Sequence, residues 1–154
     1  MMFSQRRMTI LAALGSTVLL LGAFYFQYFQ DLAPCKMCIW QRWPHGIAIA
    51  LGLAVVAFPR REIMVLAGLV VFIGAGIGLY HAGVEQNWWR GPNTCTSGSI
   101  SGLTTGELLD QILAAPVVRC DEIVWSRFGL TMAAWNAAIS LGLAALWLLA
   151  ARKA

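Results

Sequence analysis

The stretch GLAVVAFPRREIMVLAGLVVF, residues Gly52–Phe72, contains two arginines in a short polar break between two long apolar runs. An apolar run of roughly 20 residues, folded as a helix that rises about 1.5 Å per residue, can cross a hydrocarbon layer about 30 Å thick. The break, Pro59–Glu62, is therefore predicted to be a short turn between two membrane spans.

Similar apolar runs precede and follow this pair. Across all 154 residues the chain is 59% hydrophobic and 12% charged, and its mean hydropathy is +0.69. Soluble domains carry about 25% charged residues. The sequence therefore predicts an all-α membrane protein, a four-transmembrane-helix bundle that forms a single integral-membrane domain. Spans are predicted at about 9–28, 39–58, 63–83 and 130–150, and outer loops at about 29–38 and 84–129.

The first apolar run also has one property of a signal peptide, because the basic residues Arg6 and Arg7 precede it. Its apolar core is longer than the roughly 7–15 residues usual in signal peptides, and no small-residue cleavage site follows at a suitable distance. We therefore expect this run to be a retained helix.

Basic residues are unevenly divided between the two ends of the predicted bundle. At one end Glu62 is the single acid among six basic residues, namely Arg6, Arg7, Arg60, Arg61, Arg152 and Lys153. At the other end acids and bases nearly balance. Since cytoplasmic loops are enriched in Lys and Arg, both termini are predicted to be cytoplasmic and both outer loops periplasmic. The net charge of +4 then reflects topology and does not indicate a nucleic-acid partner.

Small and aromatic residues fit the same arrangement. Gly74, Gly78 and Ala82 lie at intervals of one helical turn, as do Ala12 and Ser16, and such rows let helices approach closely in lipid. Tryptophans are concentrated near the span ends, as in an aromatic belt at headgroup level. They are Trp40, Trp43, Trp88, Trp89, Trp125 and Trp135 toward the outer end and Trp147 near the inner end.

The long outer loop contains signals for a short helix. Thr104-Thr105-Gly106-Glu107 has the form of a capping box. Leu109, Ile112 and Leu113 follow at helical spacing, with Pro116 or Val117 continuing the row. We therefore predict a short interfacial helix with one side against the bilayer or the bundle.

The stretch APCKMCIWQRWPHG, residues Ala33–Gly46, opens the second span with a Cys-x-x-Cys pair. A helix that began at Pro44 and ended before Pro59 would be only about 22 Å long, which is too short to span. The helix is therefore predicted to begin earlier, with Pro34 in its first turn, Asp31 or a neighbouring backbone group near the N-cap, and Pro44 as an interior kink.

On this interpretation Cys35, Cys38, Arg42 and His45 lie on one helix face, within a sector of roughly 80°. Unpaired N–H groups and the helix dipole stabilise a thiolate in the first turn. The Arg42 cation favours the thiolate further and offers a partner for the carbonyl oxygen of an oxidant. These properties favour redox chemistry at the pair.

Two other interpretations of the pair are weaker. A structural disulfide between Cys35 and Cys38 would close so short a loop that it would remove little entropy from the unfolded chain. A zinc site would need further ligands from Cys95, Cys120 or His81. We therefore predict no metal.

Four cysteines permit several pairings, of which the spacing favours Cys35–Cys38 and Cys95–Cys120. The chain-entropy model gives a Cys95–Cys120 bridge about 3.5 kcal/mol, an ordinary value for a structural disulfide. On a polar loop, this second disulfide is also predicted to be reachable by a soluble partner. The two pairs together could pass two electrons by thiol–disulfide exchange.

Over nearly its whole length the chain resembles the DsbB family of bacterial disulfide bond formation proteins, quinone reductases that reoxidise DsbA. The segments that carry the resemblance are CKMCIWQR at Cys35–Arg42, YHAGVEQNWWRGPNTC at Tyr80–Cys95, RCDEI at Arg119–Ile123 and GLTMAAWN at Gly129–Asn136. Cys-x-x-Cys alone is a weak signal, but this order of motifs on these loops is specific.

The resemblance implies a role for each cysteine. Cys95 would be attacked by the reduced thiol of a periplasmic DsbA-like thioredoxin-fold oxidase, with Cys120 as its disulfide partner. Cys35 would exchange with the loop pair through Cys120, and Cys38 would be the thiolate facing the quinone. All four would be catalytic.

The resemblance also implies a quinone site in the membrane, for ubiquinone or menaquinone. Arg42 matches the family's arginine at the quinone, and His81 is a second candidate, offset by one position from the family's histidine. Glu85 and Gln86 are nearby polar candidates for the site, although we expect each to be a solvated interface residue. Because DsbA-type oxidases are strongly oxidising, an acceptor of higher potential is required.

Two rival functions are separable by experiment. His45 and His81 could ligate one haem between adjacent spans, although Ile39 after Cys38 excludes c-type attachment. Alternatively, the chain could be a structural subunit braced by two disulfides. Asn136 and Ser140 in the last span are expected to make helix-packing hydrogen bonds.

Overall fold

The computed structural model describes residues 2–92, 95, 102–114 and 118–154 and is mostly helical. Its helices are α1 (Met2–Phe29), α2 (Lys36–Ala57), α3 (Arg61–Glu85), α4 (Thr105–Ala114) and α5 (Met132–Ala151), and its strands are β1 (Ser126–Arg127) and β2 (Leu130–Thr131). The four long helices correspond to the four apolar runs of the sequence. Helices α1, α2 and α3 begin earlier than the predicted spans, and α5 begins two residues later.

Three helical segments in the described part of the chain are long and apolar enough to cross a membrane. They are Ser4–Phe29, Arg61–Glu85 and Met132–Ala151. Helix α2 has 22 residues but is not among them. Its N-terminal half carries Gln41, Arg42 and His45, whose polar side chains lower its hydropathy.

The four long helices pack as a ring in which each packs most extensively against two others. Helices α1 and α3 each pack against both α2 and α5. Two buried clusters mark opposite ends of this bundle. One contains Val55, Met64 and Ala151, and the other contains Cys35, Cys95 and Cys120. All four cysteines therefore lie at the end away from the α2–α3 turn.

Glycines of α3 allow its close contacts with α2 and α5. A Cβ added to Gly74 would lie 2.9 Å from Cβ of Pro44, so the proline ring inside α2 packs directly against the α3 backbone. A Cβ on Gly78 would lie 3.1 Å from Cβ of Ala137. The small-residue row expected in the third span thus forms two helix–helix contacts.

The expected place of Trp147 in an aromatic belt is wrong. Trp147 is fully buried in the cluster that includes Val55 and Met64. Gly52 and Gly68 make room for it, since a Cβ on either would lie within 3.6 Å of an atom of the indole side chain. Trp40, Trp43, Trp88 and Trp89 are exposed, as a belt requires.

The loop helix α4 begins with the capping box that the sequence predicts. Thr104 donates from its N–H and its hydroxyl to Glu107 Oε2, at 2.8 and 2.7 Å, and the Glu107 N–H donates to Thr104 Oγ1. Leu109, Ile112 and Leu113 are exposed. Pro116 and Val117, which the sequence placed on the same face, lie outside the described residues.

A small hairpin that the sequence did not predict leads into α5. Ser126 pairs with Thr131 and Arg127 with Leu130. Both residues between the strands have positive φ, 54° at Phe128 and 76° at Gly129, as in a type I′ turn. The hairpin ends at Thr131, which caps α5 by accepting the Ala134 N–H.

Candidate functional site

The Cys-x-x-Cys pair lies at the N-terminus of α2, and its own sulfur forms the helix cap. Cys35 is the N-cap residue, and its Sγ accepts the Cys38 N–H at 3.3 Å. The expectation that Pro34 lies in the first turn, capped near Asp31, is therefore wrong. Pro34 precedes the cap, and Asp31 has a positive φ of 52° in the connection from α1. Pro44 is inside the helix, as predicted.

The cysteines form one disulfide and one pair of thiols. Cys95 and Cys120 are bonded, with their Cα atoms 5.3 Å apart. Cys35 and Cys38 are free thiols whose sulfurs lie 3.0 Å apart. We refer to these as the loop disulfide and the thiol pair. The spacing argument thus selected the correct partner for Cys95, and the thiol pair is close enough to form the second bridge.

The loop disulfide is not exposed, contrary to the expectation that a soluble partner reaches it directly. Cys95 and Cys120 are both buried. They belong to the same cluster as Cys35, with Met37 and Val84. The thiol pair and the loop disulfide therefore share one buried site at the outer end of the bundle.

Cys35 is surrounded by hydrogen-bond donors. The pKa of its thiol is lowered to about 4, first by the hydrogen bond from the Cys38 thiol. Burial of Cys35, which is 4% exposed, opposes this shift, and the His81 ring and the Cys38 N–H add to it. These contacts therefore favour negative charge on Cys35, with Cys38 as the hydrogen-bond donor.

His81 connects the thiol pair to the bundle interior. Its Nε2 lies 3.5 Å from Cys35 Sγ, and its Nδ1 lies 2.8 Å from Gln41 Nε2. The Cys120 backbone also lies close to the ring. The histidine that the sequence offered as a second candidate is thus placed between the thiol pair and the loop disulfide.

Glu85 lies one turn after His81, and the expectation that it is solvated is wrong. It is 6% exposed, and its Oε1 lies 3.9 Å from His81 Nε2. Thr131 hydrogen-bonds its carboxyl group, while Oε2 has no partner. Gln86 is exposed, as expected.

A cavity of about 390 Å³ lies beside the thiol pair, among α1, α2, α3 and α5. Most of its lining is apolar, and Cys38 lines it, whereas Cys35 does not. Its titratable and cationic lining residues include Arg42, His45, His81 and Glu85. A mostly apolar pocket of this size with a few convergent polar groups is typical of small-molecule sites.

Arg42 is held toward the cavity from α1. Its Nη1 donates to Gln27 Oε1 at 2.5 Å, and its guanidinium lies 5.1 Å from the centroid of the Phe24 ring. Its Nε is buried without a partner. Arg42 Nε, His45 Nδ1 and Glu85 Oε2 are thus three unpartnered buried polar atoms on residues that line one cavity.

The rival ligand sets fit this geometry less well. Cys35, Cys38 and His81 offer three atoms within 4.8 Å of one another, whereas a structural zinc site needs four. His45 and His81 line the same cavity, but both ring nitrogens of His81 and Nε2 of His45 have other partners. They are linked through Gln41 and Asn136, which hydrogen-bond His81 Nδ1 and His45 Nε2.

Two residues of the site in the structure were not among the site residues predicted from the sequence. Gln41 is adjacent to Arg42 in the Cys-x-x-Cys motif, and Gln27 lies near the end of α1. Gln41 could have been found as a polar residue in an apolar run. Gln27 is likewise a polar residue in the first apolar run, but this signal does not show that it contacts Arg42 of another helix.

Comparison with known proteins gives a consistent result. The family model described as "Disulfide bond formation protein DsbB" matches residues 5–150. Disulfide bond formation protein B of Mannheimia succiniciproducens is 30% identical over 137 residues, which cover 82% of this chain and 74% of the relative. The protein of that name from Polaromonas naphthalenivorans is 30% identical over 156 residues, covering 94% and 91%.

A third relative, disulfide bond formation protein B of Shewanella amazonensis, is 33% identical over 129 residues, covering 80% of this chain and 76% of the relative. No solved structure matches the chain. The family model spans all four long helices and all four cysteines. The chain therefore belongs to the DsbB family of disulfide bond formation proteins.

Proposed function

We propose that this chain reoxidises a periplasmic DsbA-like dithiol oxidase by thiol–disulfide exchange and passes the two electrons to membrane quinone. Membership of the DsbB family supports disulfide oxidoreductase activity in a multi-pass protein of the inner membrane. One observation carries the proposed transfer of electrons to quinone. The thiol pair and the loop disulfide lie in one cluster, beside a cavity that Cys38 lines.

The loop disulfide is the proposed entry point. The partner's thiolate attacks Cys95, and Cys120 leaves as a thiolate. Because both residues are buried, this attack requires the loop to shift first. The Cys120 thiolate then attacks Cys35 of the oxidised thiol pair, and Cys38 leaves as a thiolate. This needs no long movement, since Cys120 and Cys35 lie in one cluster.

The cavity is the proposed quinone site. A quinone supplies a planar apolar ring whose two carbonyl oxygens accept two electrons and two protons. The apolar lining fits the ring, and the unpartnered Nε of Arg42 fits a carbonyl oxygen. Cys38, which lines the cavity, is the proposed sulfur that faces the acceptor, and His81 lines the same cavity.

We further propose four spans, with both termini in the cytoplasm and all cysteines on the periplasmic side. In support, Lys153 Nζ hydrogen-bonds Ser4 Oγ at 3.2 Å, so the chain termini lie together. Gln5 contacts Met64, which places the α2–α3 turn with Arg60 and Arg61 at that same end. This is the end where the basic residues are concentrated.

Anaerobic stopped-flow mixing tests the function. Purified protein is mixed with a reduced DsbA-like oxidase and either ubiquinone or menaquinone, and quinone absorbance is followed. We expect turnover by the wild-type chain, none by Cys38→Ser, and a raised KM for quinone in Arg42→Ala. Arg127→Ala is the matched control, because Arg127 lies in β1 and does not line the cavity.

Normal turnover by Cys38→Ser would contradict the proposal. A Soret band in the purified protein would instead favour the haem carrier. An unchanged partner redox state in every variant and in the wild type would favour the structural subunit.

A further inference from the structure

A row of hydrogen bonds links side chains inside the bundle, and one backbone carbonyl determines which group donates and which accepts in each bond. Gln41 Nε2 lies 3.2 Å from the carbonyl oxygen of Met37, which can only accept. The amide nitrogen of Gln41 must therefore be on that side, and its Oε1 accepts from Asn136 Nδ2 at 2.7 Å. Asn136 Oδ1 then accepts from His45 Nε2 at 3.0 Å.

The same carbonyl decides the state of His81. Gln41 Nε2 uses its second hydrogen toward His81 Nδ1, 2.8 Å away, so Nδ1 must carry a lone pair. A neutral ring then carries its proton on Nε2, which faces Cys35 Sγ at 3.5 Å. Both ring nitrogens are committed, and His81 cannot take a proton unless Gln41 gives up its bond to Met37.

Oxidation of the thiol pair must nevertheless release protons. When the Cys35–Cys38 bond forms from two thiols, two S–H bonds break, and two electrons and two protons leave. A quinone that gains both becomes a quinol. Some group beside the sulfurs has to carry a proton between them and the acceptor, and the hydrogen-bond row excludes His81.

The remaining candidate for this proton carrier is a carboxylate that was expected from the sequence to be exposed to solvent. Glu85 is more than nine-tenths buried, lines the cavity with Cys38, and has an unpartnered Oε2. Its other oxygen lies 3.9 Å from the His81 nitrogen that faces Cys35. A buried carboxylate without a partner for one oxygen is costly and needs an explanation.

We propose that Glu85 is the general acid–base of quinone reduction and that His81 acts only as a hydrogen-bond donor that orients and stabilises the Cys35 sulfur. This inference rests on the proposed function. The Glu85 carboxylate takes the proton of one thiol and delivers it from Oε2 to one quinone oxygen. The carboxylate, ionised again, then carries the proton of the second thiol to the other quinone oxygen, so that two S–H bonds break and two O–H bonds form. Gln41 and Asn136 are positioning residues, since they act through His81.

Few groups near Glu85 could carry the proton in its place. The titratable or charged groups that face it are His81 on α3 and Cys35, Cys38, Arg42 and His45 at α2. The described residues of α1 and α5 that line the cavity carry no charge. His45 Nδ1 is also unpartnered, but it lies about 10 Å further along the α2 axis than Cys38.

The kinetic test compares three variants in the anaerobic assay. Glu85→Gln keeps the shape and a hydrogen-bonding carbonyl but cannot exchange a proton, and we expect the quinone step to slow about a hundredfold. His81→Gln keeps an N–H donor, so we expect a smaller loss and an unchanged solvent isotope effect. Glu62→Gln is the matched control, because it removes a carboxylate from the exposed start of the same helix.

Two readouts do not depend on quinone turnover. The chain has only two histidines, so nitrogen NMR of labelled protein, with His45→Gln for assignment, reports the His81 ring directly. We expect Nδ1 to remain unprotonated between about pH 5 and 8, the range in which free histidine titrates. In Gln41→Leu, which removes the donor to Nδ1, we expect the ring to titrate. Redox-induced infrared difference spectra should show a carboxyl band that Glu85→Gln removes.

These results separate the inference from the proposed function. Absence of quinone reduction by the wild-type chain would overturn the function itself. Given wild-type turnover, a Glu85→Gln rate within about threefold of wild type would overturn the inference, as would a greater loss in His81→Gln. Should Glu85→Gln fail to fold, a wild-type His81 ring that titrates in the NMR experiment would still overturn it.

Discussion

Cys35 and Cys38 lie in the same helical turn but have different surroundings. Cys35 is the N-cap and receives the Cys38 N–H, the Cys38 thiol and the His81 ring. Cys38 lines the cavity. These contacts stabilise negative charge on Cys35, which in the proposed exchange has to leave when Cys95 later attacks Cys120 to restore the loop disulfide.

Substitution of Cys38 tests the origin of this stabilisation. We expect Cys38→Ala to raise the pKa of Cys35 from about 4 toward its ordinary value, because the largest cause of the shift is the hydrogen bond from Cys38. The ultraviolet absorbance of the thiolate, followed against pH, measures it. With the loop disulfide intact, Cys35 is then the only thiol in the chain.

Cys38→Ser is the control for this experiment, since its hydroxyl still donates to Cys35. Its titration midpoint should stay well below that of Cys38→Ala. Equal midpoints in the two variants would show that burial or His81, and not the donor at position 38, determines the acidity.

The position of Arg42 depends on a residue from another helix. Gln27 accepts from Arg42 Nη1, and the guanidinium also lies over the Phe24 ring. A charged hydrogen bond of this kind contributes roughly 1.5–3 kcal/mol. The contact therefore orients the cation toward the cavity and not toward the headgroups.

Loss of this contact should weaken quinone binding. We expect Gln27→Leu to raise the KM for quinone about tenfold, because the arginine then has to be ordered on binding. The rate at saturating quinone should change less. Gln30→Leu, which removes an exposed glutamine of the same segment that bonds only Tyr25, is the control. Equal KM values for the two variants would contradict the role of Gln27.

At the scale of elements, α2 holds the site at its polar end because α3 accommodates the Pro44 ring. Pro44 packs against Gly74, and Gly78 packs against Ala137 of α5. The three helices can therefore approach closely enough for Gln41, His81 and Asn136 to hydrogen-bond one another. Short side chains on α3 are thus a condition for the polar row between helices.

Two glycines of α3 provide a matched pair for testing this packing. A Cβ on Gly78 would lie 3.2 Å from the Ala133 carbonyl oxygen, whereas a Cβ on Gly76 would meet nothing within 4 Å. We expect Gly78→Ala to lower the free energy of unfolding by about 1–3 kcal/mol through overpacking. Gly76→Ala should leave it unchanged or raise it by up to about 1 kcal/mol. Detergent-driven unfolding in micelles measures both, and equal effects would contradict the close approach.

Helix α4 presents an apolar side that nothing in the described chain covers. Leu109, Ile112 and Leu113 are exposed on it. Its capping box fixes where the helix begins, and the pKa of Glu107 is lowered by its hydrogen bonds from Thr104. The box is therefore weakened as the pH falls through that lowered pKa.

For the whole molecule, the separation of the two buried clusters determines which groups can meet. The cysteines lie at one end, and the termini and the Arg60–Arg61 turn lie at the other. The proposed electron path, from soluble dithiol to quinone, uses only the cysteine end. The orientation of the bundle in the membrane is consequently the strongest single constraint on the function.

Labelling from either side of the membrane tests that orientation. In a background with all four cysteines replaced by serine, we expect Phe128→Cys, in the exposed hairpin turn, to react with an impermeant maleimide in intact cells. Ser4→Cys and Arg60→Cys should react only after the inner face is opened. Reaction of Arg60→Cys in intact cells would place the cysteines in the cytoplasm and contradict the proposed path.

The amino-acid sequence by itself determined the segments and their chemistry. Hydrophobic runs of about 20 residues, the position of Pro44 inside a helix, and the capping box at Thr104 follow from interactions between near neighbours in the chain, which a local pattern records. The motif order around the cysteines identified the family. The preferred pairing of Cys95 with Cys120 also followed from spacing on one loop.

Only the tertiary structure decided which side chains meet. Glu85, Trp147 and the loop disulfide are buried although their local sequence indicated exposure, because residues far away in the chain cover them. The N-cap sulfur of Cys35 and the contacts of His81 with Gln41 were likewise invisible in the pattern. Helical periodicity specifies the face of a residue, but its partner depends on the rotation and approach of neighbouring helices, which the packing of the whole bundle sets.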